Sequence, residues 1–285
     1  MLRSILVAYD PSDAARAALD HACYFASLFG GKIYVTHVVE IAGAIPIGTA
    51  MIPGTMEMLA AVPTMGAGGE LEKEQQERRE EAARFLEEAC RAVQRRGIAC
   101  EVRCESGFPL DKIKAQAESV DLLAIGKFGP GGEQPRIGRL AEPVARCVPQ
   151  PVLLASPGFQ APSEIILIYN GGEKSHRALT LGAEIALQGK IPLRLITLAD
   201  TPDEDARLAE CATRYLSDHG AAFSHESVSS AESIDQGLRA RISQTPAALV
   251  IMGAFHGTRL LQWLTGHPTL SLIRDLPNPI IVCSH

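Results

Sequence analysis

The chain carries two copies of one pattern, and this duplication constrains the fold more than any other feature. With Tyr9 placed over Tyr169, the copies agree without a gap in three stretches: ILVAYDPSDAARAAL with IILIYNGGEKSHRAL, DLLAIG with ALVIMG, and RCVPQPVLLAS with RDLPNPIIVCS. The period is far longer than the roughly 20–50 residues of a solenoid repeat, and is typical of a duplicated domain. The sequence therefore predicts two domains, at 1–158 and 162–285.

Within each copy, strand-like and helix-like segments alternate. SILVAY near the N-terminus is a short apolar run without alternation, as in a strand that is buried on both faces. SDAARAALDHACYFASLFGG follows with apolar residues at helical spacing and a Gly-Gly stop. Because alternating strands and helices form a parallel sheet with helices on both faces, the predicted fold class is α/β, with two doubly wound, Rossmann-like parallel-sheet domains in tandem.

One segment of the first copy, residues 41–69, has no counterpart in the second. It is rich in Gly, Pro, Met and Ala and almost uncharged. Two interpretations stay open: a mobile surface loop, as is common for a long irregular connection, and an apolar lid or partner contact, because uncharged surface with Met and Ile is costly to expose. A long helix is predicted after it, with these residues on one side: Phe85, Leu86, Ala89, Cys90 and Val93.

The composition argues against several classes of function. With 27 Lys+Arg against 33 Asp+Glu the net charge is −6, and no basic stripe indicates a nucleic acid or an anionic membrane as a partner. The seven cysteines are an odd number without regular spacing, which favours a reduced, cytoplasmic location over a disulfide framework. The N-terminal apolar stretch is too short for a signal peptide, and no run reaches the roughly 18 apolar residues of a membrane span. Cys100 and Cys104 have no further ligands nearby, so we predict no metal site.

A glycine-rich stretch, IGKFGPGGEQPRIGR at 125–139, follows a strand-like run and is a candidate phosphate loop. The backbone N–H groups of such a turn can hold an anion. In doubly wound sheets ligands bind beyond the carboxyl ends of the strands, where we expect Asp10, Val39 and Gly126 to meet. Asp10 can accept hydrogen bonds from a ribose there, and a role as an N-cap or turn residue in YDPSD is an equal alternative.

Several known fingerprints are absent. There is no G-x-x-x-x-G-K-[ST], no G-x-G-x-x-G after a strand and no G-x-S-x-G, and no Cys–His pairing indicates a nucleophilic enzyme. In the second copy, we expect His256 and His267 to be solvated loop residues rather than metal ligands or a proton relay. Trp263 is interpreted as a packing or interface residue rather than a platform for a nucleic acid base.

Five stretches resemble the universal stress protein family in its tandem form: ILVAYDPSDAARAALDHA, DLLAIGKFG, GRLAEPVARCVPQPVLLAS, ALVIMGAFH and GHPTLSLIRDLPNPIIVC. The resemblance covers almost the whole chain apart from residues 41–69. It implies domains similar to adenine nucleotide α-hydrolases. It also implies that the two domains pack about a pseudo-twofold axis, as in the dimer of a single-domain relative.

In the ATP-binding members of that family the loop looks like G-x2-G-x9-G-[ST], and an Asp closes the first strand. The resemblance implies that Asp10 holds the ribose and that the Val39 backbone contacts the adenine. It assigns the phosphates to three glycines, namely Gly126, Gly129 and Gly138.

The loop departs from the family pattern in both copies. In the first copy only eight residues separate Gly129 from Gly138, and Arg139 stands where the pattern has Ser or Thr. The Arg139 guanidinium can offer a bidentate contact to phosphate or fill the site. In the second copy, Asn170 replaces the Asp and two histidines replace the second glycine and the Ser/Thr. We therefore predict that the second copy does not bind ATP in the family manner.

The leading functional prediction is a cytoplasmic stress-response protein that acts as a binding or regulatory module and holds ATP with Mg²⁺, or another adenine nucleotide, in the first copy. The alternative is an interaction or carrier protein that binds no nucleotide and uses residues 41–69 to hold a protein partner or a hydrophobic ligand. An enzyme of the adenine nucleotide α-hydrolase type is a third option, for which no substrate site is visible. We predict no catalytic residue, at most slow ATP hydrolysis, and a homodimer or a protein partner.

Overall fold

The structure is a computed structural model that describes six ranges of the chain: 1–41, 68–129, 138–199, 201–229, 234–254 and 275–284. Most of the apolar insertion lies outside the described residues, as do His256, Trp263 and His267. The interpretations of these residues therefore stay predictions.

The described residues of the predicted first domain, here called the first repeat, alternate strands and helices in the predicted order. Its strands are β1 (Ser4–Ala8), β2 (Lys32–Glu40), β3 (Ala99–Gly107), β4 (Leu122–Gly126) and β5 (Val152–Ala155). Its helices are α1 (Asp13–Phe29), α2 (Gly68–Gln94), α3 (Pro109–Ala117) and α4 (Ala141–Cys147).

The described residues of the predicted second domain, here called the second repeat, follow the same order as far as their fourth strand and then continue with a fifth. Its strands are β6 (Glu164–Tyr169), β7 (Leu193–Ala199), β8 (Phe223–Ser229), β9 (Ala248–Gly253) and β10 (Ile280–Cys283). The described helices are α5 (Glu173–Gly189), α6 (Pro202–Asp218) and α7 (Ile234–Ile242).

The strands of both repeats form one continuous sheet, in the order β3-β2-β1-β4-β5-β10-β9-β6-β7-β8. Neighbouring strands are parallel within each repeat. At the centre, β5 and β10 pair antiparallel, with Ile280 opposite Leu154. The last strands thus join the repeats as the pseudo-twofold prediction requires. The predicted fold class, two doubly wound α/β units in tandem, is confirmed.

The ends of α1 follow from local chemistry. The Ser12 hydroxyl accepts a hydrogen bond from the Ala15 N–H at 3.2 Å and caps the start of the helix. Gly30 ends the helix with a φ of 63°, a left-handed conformation that glycine adopts without a steric penalty. α5 begins after Gly172, which has no side chain to form such a cap.

Helices cover both faces of the sheet, so the inner strands are buried on both sides, whereas the edge strand β3 has no fully buried residue. One apolar cluster packs α1, α2, α5 and α6 against one face, and it includes Phe25, Leu86, Ile185 and Leu216. The other packs α3, α4 and α7 against the opposite face, and it includes Ile113, Val144 and Leu238. The side of α2 that was predicted to be apolar faces the core, because Leu86, Ala89, Cys90 and Val93 are buried there. None of the described helices is long and apolar enough to cross a membrane.

Candidate functional site

The candidate site lies where β1 and β4 end side by side. Ala8, the last residue of β1, pairs with Ile125 of β4. Asp10 and Gly126 therefore leave the sheet as neighbours at its carboxyl edge. This edge is the place where doubly wound folds bind ligands, because the loops there diverge and leave a crevice.

The end of β2 borders the same crevice. β2 pairs with β1 only as far as Thr36, whereas it pairs with β3 as far as Glu40. Val39 is buried and pairs with Ser106 of β3, so this part of β2 extends beyond the end of β1. The backbone of β2 is thus available at the predicted adenine position, next to the end of β1.

Asp10 forms a turn through one of its carboxylate oxygens. Its Oδ1 accepts a hydrogen bond from the Ser12 N–H at 3.0 Å. The side chain is half-buried, and Oδ2 accepts no hydrogen bond from the described residues. The N-cap of α1 is Ser12 and not Asp10, so the alternative role of Asp10 is that of a turn residue.

The second repeat makes the same turn without a carboxylate. Asn170 Oδ1 accepts a hydrogen bond from the Gly172 N–H at 3.2 Å. Because an amide oxygen serves the turn as well as a carboxylate does, the turn does not account for the negative charge of Asp10. A second carboxylate oxygen is therefore left for another role.

Gly126 is buried and lies against the first turn of α1. A Cβ atom at this position would lie 2.8 Å from the Ala15 nitrogen and 2.8 Å from the Ala14 carbonyl carbon. Gly253 has the same relation to α5 in the second repeat, with 2.6 Å to the Ser175 nitrogen. Glycine at the end of this strand therefore has a packing role in both repeats, and this role brings the start of α1 next to the glycine loop.

The two described ends of the glycine loop lie next to each other. The Gly138 N–H donates to the Lys127 carbonyl at 2.7 Å, and the Gly138 carbonyl accepts from the Ala141 N–H at 3.1 Å. A Cβ atom on Gly138 would lie 3.4 Å from the Gly129 nitrogen. Among the described residues, no atom lies within 4 Å of the position of a Cβ on Gly129. The structure thus brings Gly129 and Gly138 together, with open space at Gly129.

Arg139 is exposed and follows Gly138 directly. Residues 130–137, the middle of the loop, lie outside the described residues. Five of the six predicted site residues lie at the ends of β1 and β4 and in the loop that follows β4: Asp10, Gly126, Gly129, Gly138 and Arg139. The sixth, Val39, lies near the end of β2.

Sequence reasoning missed Lys127, the first residue of the loop. Its side chain is fully buried, and its Nζ hydrogen-bonds to two carbonyls of the second repeat. A lysine is ordinarily expected at the surface. A signal was nevertheless visible, because Lys127 follows a wholly apolar strand and its counterpart in the second repeat is Ala254.

Two surface cavities lie elsewhere. One of about 440 Å³ lies between the repeats and includes Met1, Asp121, His176 and Glu184 in its lining. The other, of about 350 Å³, lies between α1 and α2 and includes Tyr9, Arg16, Phe85 and Glu88. Carboxylate side chains line both cavities, but the glycine loop lines neither of them. We keep the crevice at the ends of β1 and β4 as the candidate site because Gly129, Gly138 and the Asp10 carboxylate lie there, and Asp10 Oδ2 accepts no hydrogen bond from the described residues.

Within the described residues, no group of three or more His, Cys, Asp or Glu side chains is placed to bind a metal ion.

The fold and the site define a class of protein: tandem doubly wound α/β domains with a glycine loop after the fourth strand. The model of the universal stress protein family matches residues 1–156, which is more than half of the chain. The chain belongs to the universal stress protein family.

Relatives match the chain over nearly its full length. The universal stress protein Slr1230 of Synechocystis is 23% identical over 284 residues, which cover 98% of this chain and 99% of that protein. A universal stress protein from Archaeoglobus fulgidus is similar in fold, with 18% identity, coverage of 98% of this chain and 97% of that chain, and a TM-score of 0.73. A functionally unknown protein from Pseudomonas aeruginosa is also similar, with 18% identity, 99% and 92% coverage, and a TM-score of 0.61. These likenesses show the tandem fold.

Proposed function

We propose that the first repeat binds an adenine nucleotide, such as ATP with Mg²⁺, and that the protein acts as a stress-type binding or regulatory module. One nucleotide binds per chain, at the crevice between the ends of β1 and β4. The proposal assigns no catalytic residue. The cytoplasmic location and a homodimer stay predictions.

The observation that carries the proposal is the closure of the glycine loop by the Gly138 N–H and the Lys127 carbonyl, at 2.7 Å. This hydrogen bond holds the backbones of Gly129 and Gly138 close together beside the end of β1. The Gly138 N–H is used in this closure, so the backbone N–H offered to phosphate is that of Gly129, which phosphate oxygens can approach because neither glycine has a side chain. The exposed Arg139 guanidinium adds a donor that can contact a phosphate through two N–H groups.

Asp10 supplies the acceptor for the ribose. Its Oδ1 is used in the turn with Ser12, and Oδ2 is left to accept from a ribose hydroxyl. The backbone of β2 at Val39, beyond the end of β1, is assigned to the adenine edge. Asn170 replaces the carboxylate in the second repeat, and we therefore assign no nucleotide to that repeat.

Calorimetry of the purified protein with ATP and Mg²⁺ tests the proposal, with Asp10→Asn as the main variant. Asn forms the same turn, as Asn170 demonstrates, so this variant removes the charge and keeps the local structure. A hydrogen bond to a charged group contributes about 1.5–3 kcal/mol. We therefore expect one nucleotide per wild-type chain and an affinity loss of about 10–100-fold in Asp10→Asn.

The matched control is Asn170→Asp, which makes the reverse change in the second repeat and should leave the affinity unchanged. Equal binding by wild type and Asp10→Asn would refute the assignment of Asp10. An absence of binding by the wild type would refute the nucleotide site itself. Deletion of residues 46–66 would then test the carrier interpretation, which rests on a segment outside the described residues.

A further inference from the structure

Lys127 connects three parts of the molecule. Its N–H donates to the Ala155 carbonyl at 2.8 Å, and its carbonyl accepts from the Gly138 N–H. Its side chain crosses to the second repeat, where Nζ donates to the carbonyls of Leu276 at 2.9 Å and Asn278 at 2.7 Å. Those two carbonyls belong to the segment that leads into β10. A single residue thus links the start of the glycine loop, the end of the loop and the opposite repeat.

The surroundings of Nζ fit a neutral amine. The side chain is fully buried, and no carboxylate of the described residues lies within ion-pair distance. Burial lowers the pKa of Lys127 to about 7, because an ammonium loses its hydration there without a charged partner. A neutral amine has two N–H groups, which matches the two carbonyls. The third N–H of an ammonium has no acceptor among the described residues.

The neighbouring titratable groups do not supply the missing negative charge. His21 of α1 is the group whose charge interacts with Lys127, and burial lowers the pKa of His21 to about 4, so it is neutral near pH 7. Two carboxylates in the segments that contain His21 and Leu276 have cationic partners: Asp20 pairs with Arg96, and Asp275 pairs with Arg239. Strand β5 contributes a backbone carbonyl, that of Ala155.

The second repeat lacks this side-chain link. Ala254 stands at the position of Lys127, and its N–H donates to the Cys283 carbonyl at 2.6 Å, as the Lys127 N–H does to Ala155. The carbonyl of Val148, which corresponds to that of Leu276, instead accepts from the Ser284 hydroxyl. The related side of the junction therefore forms without a lysine, and among the described residues the buried amine lies next to the loop to which we assign the nucleotide.

We propose that Lys127 is a positioning residue for the nucleotide loop: its amine hydrogen-bonds the start of the loop to the second repeat, and protonation disfavours this buried arrangement because the resulting charge has neither water nor a carboxylate partner there. The inference rests on the proposed function, because the loop in question is the proposed phosphate site. In this proposal the second repeat holds the start of the nucleotide loop in place through the carbonyls of Leu276 and Asn278. Nucleotide affinity consequently falls as the pH drops from 8 to 6.

The first test needs no nucleotide. Protein with ¹³C-labelled lysine is titrated from about pH 5.5 to 10.5, and the Cε signals are followed by NMR. We expect one lysine signal to move with a midpoint near 7, while the others titrate near the usual value of about 10.4. The signal is assigned by its absence in Lys127→Gln. A spectrum in which no lysine titrates below about pH 9 would overturn the proposal.

The second test measures ATP affinity at pH 6 and pH 8 for the wild type, Lys127→Gln and Lys127→Met. The Gln side chain keeps a neutral hydrogen-bond donor, and the Met side chain has a similar length without a donor. If one of the two variants does not fold, the other still tests the proposal. We expect the wild-type affinity to fall at least about fivefold between pH 8 and pH 6, and the affinity of the variants to change much less. Lys114→Gln, at an exposed lysine of α3, is the control and should follow the wild type.

The outcomes separate this inference from the proposed function. Parallel pH profiles of wild type and Lys127→Gln, or a wild-type affinity that rises towards pH 6, would overturn the positioning role. Wild-type protein that binds no nucleotide at any pH would overturn the proposed function and the positioning role together. A Lys127 signal that titrates near 10 would overturn the positioning role and its pH dependence but not the proposed nucleotide site.

Discussion

The position that a Cβ atom of Gly126 would occupy lies 2.8 Å from the backbone nitrogen of Ala15. Real Cβ atoms do not approach another atom so closely, so the end of β4 and the first turn of α1 can meet only through a glycine. The same contact in the second repeat joins Gly253 to Ser175. This pair of contacts sets the position of the helix that begins beside each crevice.

Gly126→Ala should destabilise the protein. The added methyl would meet backbone atoms, which cannot move aside as a flexible side chain can, and overpacking of this kind costs about 1–3 kcal/mol. Urea unfolding measures the loss. Gly129→Ala is a suitable control, since no atom of the described residues lies within 4 Å of its Cβ position, whereas Gly30 is unsuitable because its φ is positive. Equal stability of Gly126→Ala and wild type would contradict the packing role.

Gly129→Val should separate binding from stability. The open space at Gly129 accommodates a side chain, so the free energy of unfolding should change by less than about 1 kcal/mol. The branched side chain would cover the backbone N–H that we assign to phosphate, and ATP affinity should fall at least tenfold, about 1.4 kcal/mol. Calorimetry and urea unfolding on the same sample measure both effects. Unchanged affinity would exclude phosphate contact at this position.

His21 should make the stability depend on pH. Burial lowers its pKa from 6.5 in the unfolded chain to about 4 in the folded one, and its Nδ1 has no hydrogen-bond partner. Between these values the unfolded chain binds a proton that the folded protein does not, so stability is lost as the pH falls from 6.5 to 4. The loss amounts to about 3 kcal/mol.

His21→Leu is the variant that tests this pH dependence, because Leu181 stands at the same place in the second repeat. Urea unfolding at pH 7 and pH 4.5 should show a smaller decrease in stability for this variant than for the wild type. His219→Gln, at an exposed histidine, should retain the full decrease. An identical decrease in His21→Leu and wild type would show that other groups cause the acid sensitivity.

Glu164 should be important for the stability of the second repeat. It forms a two-pronged ion pair with Arg194, whose side chain is only 8% exposed and also donates to Thr245 Oγ1 at 2.9 Å. Glu164→Gln would leave a buried guanidinium with Glu226 at 3.6 Å as its remaining carboxylate. Loss of one partner of a buried pair costs about 3–5 kcal/mol, and we expect about 3 kcal/mol because Glu226 remains.

The control for this ion pair is Glu87→Gln, which removes the partner of Arg91 on the exposed face of α2. Exposed pairs contribute about 0–1 kcal/mol. Thermal or urea unfolding compares the two variants. A Glu164→Gln protein as stable as Glu87→Gln would show that solvent reaches the Arg194 guanidinium.

The duplication, the fold class and most element bounds could be predicted from the sequence alone. SILVAY contains β1 (Ser4–Ala8), and α1 ends at the expected Gly-Gly stop, whereas its N-cap is Ser12 and not Asp10. The resemblance to the universal stress protein family was also correct. These features depend on hydrophobic periodicity and on caps, which act between residues a few positions apart.

The candidate site could be predicted only in part. The sequence named Asp10, Gly126, Gly129 and Gly138, and the structure brings these residues to adjacent strand ends and one closed loop. It did not indicate that Gly126 is needed against α1, but it did offer a turn in YDPSD as one role of Asp10, and Asp10 Oδ1 forms such a turn. The assignment of ligand contacts to these residues stays a prediction that the variants above test.

The sequence by itself determined which segments become strands and helices, and that they occur twice, because local pattern and backbone preference suffice for this. Only the tertiary structure decided that β5 and β10 join the repeats antiparallel, and that the Lys127 side chain lies buried against Leu276 and Asn278. The partners in these contacts are more than a hundred residues apart in the chain. Whether a lysine keeps its hydration or exchanges it for two carbonyls depends on those distant partners, so its burial, protonation and role follow from the packing of one repeat on the other.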